Sequence, residues 1–256
     1  MKIIISPAKK MNIREDELDT AGLPCFLSKA EELKEYIRSL SFEEAKELWA
    51  CNEAIARLNF ERFAYMDLKK RLTPALLSYE GIQYQYMAPG VFEKSEWEYV
   101  QKHLRILSGF YGVLRPLDGI VPYRLEMQAK VALPGGVKGL YDFWGSTLFE
   151  KLLEGEEEDP VIVNLASKEY SKAVEPYLTP DTTFLTCIFG NLAEDRSGKP
   201  KVRVKATEAK MARGEMVRFM AAEQVEKTEE LKAFDGLGYK FHEELSKEKE
   251  FVFVKS

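Results

Sequence analysis

Residues 103–127 read HLRILSGFYGVLRPLDGIVPYRLEM, from His103 to Met127. The stretch holds three glycines (Gly109, Gly112, Gly119), two prolines (Pro116, Pro122) and three arginines (Arg105, Arg115, Arg124). Ser108, Asp118 and Glu126 lie among the arginines, and apolar residues fill the gaps. A surface loop has no need of so many Leu, Ile, Val and Phe residues. A helix interior is destabilised by so many glycines and prolines. The composition therefore predicts a buried, sharply turned backbone that aims its arginines in one direction.

Ser95-Glu96-Trp97-Glu98 has the form of a helix start, with Ser95 as N-cap and Glu98 three positions on. Val100, Leu104 and Leu107 continue at helical spacing, and Ser108-Gly109 provides a stop. Helix, LSGFYG, then a new apolar segment suggests a helix-hairpin-helix-like element, in which Gly109 and Gly112 could offer backbone amides to a phosphate. The plainer alternative is a structural turn carrying surface arginines.

Around this stretch the chain has 256 residues, 45% of them hydrophobic, which suffices for a sizeable core. The net charge is -5, so the whole molecule is not a polybasic binder and any anion site must be local. No run of about 18 apolar residues predicts a membrane span, and the N-terminal segment lacks the apolar run of a signal peptide. Cys25, Cys51 and Cys187 have no metal-ligand spacing and fit reduced thiols in a cytoplasm. Two histidines and three scattered cysteines are a poor soft-ligand set, so neither a metal site nor a cofactor is expected.

The pattern alternates strands and helices. Lys2–Ile5, Pro160–Leu165 and Thr182–Ile188 read as buried strands, and Val202 and Val204 alternate with Lys201, Arg203 and Lys205 on a half-exposed one. Pro74–Tyr79, Tyr123–Met127 and Ala129–Leu133 are further strand candidates, with turns at Pro134-Gly135-Gly136, Glu156–Asp159 and Asp195–Lys199. Tyr239–Glu243 and Phe251–Lys255 read as a closing hairpin. Helices are expected over Phe26–Leu40, after the capping box Ser41-Phe42-Glu43-Glu44, over Glu53–Tyr65, from Leu140 to near Glu154, over Thr207–Val225 and over Thr228–Phe234. Gly214 inside the fifth of these suits a close backbone approach by another element or a ligand. No repeat or linker interrupts the chain. The fold class is mixed α/β (α+β), one compact domain over 1–256 with a mixed sheet and surrounding helices.

Ligands of such sheets sit outside the carboxyl ends of the strands. Two buried strands end in polar loops there, Ser6–Lys9 and Asn164–Lys168, and could form a pocket. Seven basic residues run from Lys199 to Arg218 (Lys199, Lys201, Arg203, Lys205, Lys210, Arg213, Arg218), opposed only by Glu208 and Glu215. An acidic protein that concentrates positive charge in two segments gathers it around an anion, or else pairs it with its many glutamates. No Walker loop, GxGxxG, HExxH or GxSxG is present. Candidate acids or bases are Asp118, Glu126 and Asp142, and Lys9 is a candidate nucleophile. Tyr84, Tyr86, Tyr141, Trp144 and Tyr170 could stack on a base.

Several blocks resemble the peroxide stress protein YaaA family, in order and over nearly the whole chain. They are Ile3–Met11 (IIISPAKKM), His103–Met127, Leu140–Gly145 (LYDFWG), Val161–Lys172 (VIVNLASKEYSK), Lys210–Met220 (KMARGEMVRFM) and Phe234–Phe241 (FDGLGYKF). The resemblance implies a cytoplasmic bacterial protein that resists hydrogen peroxide by limiting free iron and so DNA damage. It also implies DNA binding, a mixed α/β fold with a helix-hairpin-helix-like element, and a positive cleft.

Taken with the charge pattern, the expected function is DNA binding in oxidative stress, on double-stranded or distorted DNA. The expected phosphate contacts are Lys9, Arg105, Gly109, Gly112, Arg115, Arg124, Lys168, Lys172, Lys210, Arg213 and Arg218. The alternative is an enzyme acting on a nucleobase or nucleoside in the same cleft, with Lys9, Asp118 or Asp142 as reacting group.

Overall fold

The computed structural model describes residues 1–14, 18–133, 135–155, 159–194, 198 and 200–255. Eight strands form the main sheet: Lys2–Ile5 (β1), Leu104–Ser108 (β2), Gly112–Leu114 (β3), Val161–Leu165 (β4), Thr183–Glu194 (β5), Pro200–Arg203 (β6), Tyr239–Phe241 (β7) and Glu250–Lys255 (β8). The order is β7-β8-β5-β4-β1-β2-β3, with β6 paired to the far half of β5. β1 is an interior strand. It runs parallel to β2 and β4, with Ile4 opposite Arg105 on one side and Asn164 on the other. Parallel strands covered on both faces read as unbroken apolar runs, and Ile3, Ile4 and Ile5 are all fully buried.

The helices that cover the sheet or position the site are Leu27–Ser39 (α1), Phe42–Trp49 (α2), Glu53–Tyr65 (α3), Ile82–Met87 (α4), Lys94–His103 (α5), Thr147–Leu153 (α6) and Ala206–Ala222 (α7). The capping box expected at Ser41 forms, with Ser41 N donating to Glu44 Oε2 at 2.8 Å. The one expected at Ser95 does not. α5 starts earlier, and Glu93 N donates to Glu96 Oε2 at 2.7 Å.

The stretch 103–114 departs most from its local pattern. α5 stops at His103, and Leu104 turns extended to pair with Ile3. β2 then folds back on β3, with Ser108 opposite Gly112. The helix-hairpin-helix expected here is a tight β-hairpin. Helical spacing lost to tertiary context, because Leu104 and Ile106 gain complete burial beside β1. Neither glycine offers a phosphate nest. A Cβ on Gly109 would lie 2.6 Å from the Leu125 carbonyl oxygen, and the Gly109 carbonyl accepts a 3.0 Å bond from Trp144 Nε1. Gly112 has φ +77°, and a Cβ there would meet the Trp144 ring at 2.8 Å and Phe26 at 2.9 Å.

Gly112→Ala should therefore destabilise the protein by about 2–4 kcal/mol, combining left-handed strain with overpacking. Urea unfolding measures this. A loss within experimental error of zero would mean that Trp144 and Phe26 yield freely.

Other local differences have similar causes. Pro74–Tyr79 is not one strand. The pair Thr73–Pro74 leads into a one-turn helix, Ala75–Ser78, and then Tyr79–Glu80 pairs with Lys10–Met11. Tyr123–Met127 is not a strand, and Ala132–Leu133 pairs with Val137–Lys138. The helix expected from Leu140 breaks at Gly145, where φ is +50°, into Leu140–Trp144 and α6. Pro134 and most of the turns expected at 156–159 and 195–199 lie outside the described residues.

Candidate functional site

A cavity of about 420 Å³ opens at the carboxyl ends of β1 and β4. Its floor is the loop Ser6–Lys10 and Ser167. The two loops are tied together, since Ser167 N donates to Ser6 Oγ at 2.8 Å and the two hydroxyls lie 3.2 Å apart. α4 supplies one wall through Ile82, Gln83 and Tyr84, and the Tyr84 hydroxyl donates to the Ser6 carbonyl at 3.0 Å. Tyr123–Glu126, Glu169 and Tyr170 supply another. α7 contributes Lys210 and Arg213, which share a face at three-residue spacing.

Gly214 permits this arrangement. A Cβ there would lie 2.1 Å from the Gln83 carbonyl oxygen, so α7 can approach α4 this closely only with glycine. The close approach inferred from the sequence is to another element of the chain.

The charges are mixed, and their pairing is uneven. Lys10 bonds Glu80 at 2.5 Å, Arg124 lies 2.9 Å from Glu126, and Lys9 lies 3.5 Å from Glu126. Lys210 and Arg213 have no ion pair among the described residues. Arg213 is half-buried and its Nε has no hydrogen-bond partner. Burial lowers its proton affinity. Burial also raises the Glu169 carboxyl, with the nearby Glu126 charge adding to the effect. A neighbouring hollow of about 550 Å³ shares Lys9 and Glu126 with this cavity and adds Tyr36, Leu48 and Trp49.

Of the expected phosphate-binding residues, Lys9, Arg124, Lys210 and Arg213 meet here. The others do not. Arg105 and Arg115 line a separate cavity of about 230 Å³ beside β3, with Asp118, Gln101, Cys25 and Lys151. Arg105 Nη1 donates to the Gln101 and Leu104 carbonyls at 3.2 and 2.7 Å, tying α5 to β2. Lys168 pairs with Glu175, and the Lys172 ammonium lies 6.0 Å from the Tyr141 ring centre. Arg218 is exposed and sits about 140° round α7 from Arg213.

Among the candidate reacting groups, Lys9 is at the cavity rim. Asp142 is exposed and accepts from Lys138 N at 3.3 Å, away from the cavity. Trp144 is buried in the packing against Gly109. Tyr123 was not distinguished by sequence, because it lies in a segment that reads as a plain strand.

Asp118 anchors the turn at 115–118, accepting from Arg115 N at 2.8 Å. Burial pushes its carboxyl up to about 6, against the lowering effect of that bond and of Arg115 and Arg105. The folded form thus binds this proton more tightly than the unfolded chain does. Its contribution to stability is fully present below about pH 4 and is lost as pH rises through about 6. Asp118→Asn, which keeps an acceptor, should remove up to roughly 3 kcal/mol of that loss. Denaturant midpoints of both proteins from pH 4 to 7 measure the difference. Parallel curves would show that Asp118 ionises normally.

A family model described as "Peroxide stress protein YaaA" matches residues 1–245. The chain belongs to the peroxide stress protein YaaA family. A UPF0246 protein of Lachnoclostridium phytofermentans is 56% identical over 255 residues, covering 100% of this chain and 96% of its own. One of Agathobacter rectalis is 53% identical over 253 residues (99% and 98% covered), and one of Pediococcus pentosaceus 49% over 256 (100% and 98%). Family membership makes this a peroxide stress response protein. Four of the six blocks that resemble the YaaA family meet at the cavity: Ile3–Met11, the end of His103–Met127, Val161–Lys172 and Lys210–Met220. Among the described residues, no helix is long and apolar enough to cross a membrane.

Proposed function

We propose that this peroxide stress protein binds DNA by taking one nucleotide into the cavity at the ends of β1 and β4. Its phosphate would lie against Arg213 and Lys210. The observation that carries this reading is Arg213, a half-buried guanidinium with no carboxylate partner among the described residues and an unbonded Nε. A buried charge without a partner is costly to hold, and an arriving phosphate supplies the missing partner bidentately. The tyrosine-rich walls suit a planar base.

A space of about 420 Å³ admits a strand end or an extruded nucleotide rather than a duplex. The preferred form is then distorted DNA. Lys201 and Arg203, exposed and without ion pairs among the described residues, stand at the carboxyl end of β5, which faces the same way as the ends of β1 and β4. They suit the flanking backbone. Protection of DNA is the direct consequence, and the effect on free iron implied by the family resemblance is indirect in this reading.

A second reading, an enzyme acting on a nucleobase or nucleoside, is favoured by the seclusion of the same cavity between Tyr84, Tyr123 and Tyr170. Fluorescence anisotropy separates the two. With about three phosphates engaged, DNA affinity should fall roughly 50-fold between 50 and 200 mM salt, and overhangs should bind better than blunt duplex. Absence of DNA binding at low salt, with mononucleotides still bound, would favour the enzyme.

A further inference from the structure

Three hydroxyls stand in line, the middle one on a residue of the cavity wall. Ser108 Oγ lies 2.6 Å from Tyr123 Oη, which lies 2.7 Å from Tyr79 Oη. All three residues are buried. Their protons can be counted. Ser108 Oγ accepts from Phe110 N at 3.2 Å and from Tyr111 N at 2.9 Å. Both of its lone pairs are then occupied, so its own proton goes to Tyr123. Tyr79 has no other acceptor among the described residues, and a buried hydroxyl does not leave its proton unpaired without penalty. Its proton therefore also goes to Tyr123. Tyr123 Oη accepts twice, and its own proton has no taker among the described residues. Tyr123 lines the cavity.

We propose that Tyr123 is a fixed hydrogen-bond donor to the base in the cavity, and that it selects bases presenting a keto oxygen over those presenting an amino group. With both lone pairs filled, the Tyr123 oxygen cannot turn to accept from an amino group. A site built around one buried donor rejects a ligand that leaves it unpaired. Burial raises all the phenols here, yet Tyr123 reaches only about 12 because Ser108 and Tyr79 donate to it, while Tyr79 and Tyr84 lie well above the usual range. The cations of the site, Lys9, Lys210 and Arg213, take the phosphate, so the tyrosine wall is left for the ring.

The inference rests on the nucleotide reading of the cavity, and one calorimetric experiment separates the two. Two probe pairs each differ by one oxo-for-amino exchange: inosine and adenosine monophosphate, and uridine and cytidine monophosphate. The wild-type protein should favour the oxo member by about tenfold in the pair whose ring fits, the effect of one buried hydrogen bond. Tyr123→Phe should lose that preference by weakening the oxo member. Tyr79→Phe should reduce it, since it empties one of the two lone pairs that keep Tyr123 from accepting. Arg213→Met should weaken every probe alike.

If no probe binds the wild type, or Arg213→Met binds all of them normally, the nucleotide reading fails and this inference with it. If Arg213→Met weakens binding but the wild type shows no oxo preference in either pair, only the role of Tyr123 is overturned. The wild-type ratio decides this even where Tyr123→Phe does not fold. A Tyr123→Phe that folds and keeps the preference overturns it too. Equal loss of oxo and amino probes in that variant would move the acceptor to sugar or phosphate and overturn the selection of bases.

Discussion

Arg213→Met is expected to make the protein more stable and a much weaker binder of DNA. The guanidinium is half-buried, has no ion pair among the described residues, and carries an Nε without a hydrogen-bond partner. Methionine keeps much of the stem volume and removes the charge. Replacing a desolvated, uncompensated charge by an apolar group should stabilise the fold by about 1–2 kcal/mol, a rise in Tm of roughly 2–6 °C for a chain of this size. Affinity for a DNA overhang should fall by about 3 kcal/mol, more than a hundredfold, as expected when one partner of a buried charge-assisted bond is removed. Calorimetric melting and anisotropy read the two effects separately. A variant that is less stable and binds normally would make Arg213 a structural residue.

The largest loss of stability is expected from Gly214→Ala. Alanine ordinarily favours a helix interior by about 1 kcal/mol over glycine. Here the added Cβ would lie 2.1 Å from the Gln83 carbonyl oxygen and 3.0 Å from the Met87 and Gln83 backbone. Those atoms belong to α4 and cannot rotate away as a side chain can. α7 must therefore withdraw, at a cost of about 3 kcal/mol or more, which outweighs the propensity gain. The withdrawal also moves Arg213 and Lys210 off the cavity, so DNA binding should weaken together with stability. Urea unfolding and anisotropy on one preparation measure both. A stabilised Gly214→Ala would show that the two helices are not held this closely.

The sequence made the scaffold readable where burial is complete. Lys2–Ile5 and Val161–Leu165 are mostly apolar because both faces are covered, and Thr183–Glu194 was readable only up to Ile188, in its mostly buried half, while Leu192 and Glu194 beyond it are exposed. Gly214 was readable as a close approach because glycine in a long amphipathic helix has few other uses. The stretch after His103 was not readable locally. Leu104 and Leu107 fit a helical stripe equally well, and only the partner strand Lys2–Ile5, a hundred residues away, decides for an extended chain.

The charged lining of the cavity was legible only in part, for a related reason. Lys9, Arg124, Lys210 and Arg213 carry charge and lie in segments that meet at the carboxyl ends of β1 and β4. Arg105 and Arg115 carry the same charge, but Arg105 stands at the start of β2, the end opposite to the cavity, and the hairpin reversal at Gly109–Gly112 brings Arg115 back to that same end. Lys168 is taken up by Glu175. Tyr123 had no sequence signal, because the role proposed for it rests on contacts with Ser108 and Tyr79 that form only in the folded chain.

The most direct measurement follows the Arg213 Nε–H resonance in a ¹H–¹⁵N spectrum while thymidine monophosphate is added. If the cavity at the ends of β1 and β4 holds the phosphate, that resonance shifts downfield and saturates, together with the amides of Ser6 and Ser167. A spectrum in which Arg213 stays still, while the nucleotide perturbs Arg105 and Arg115 or nothing at all, contradicts the account.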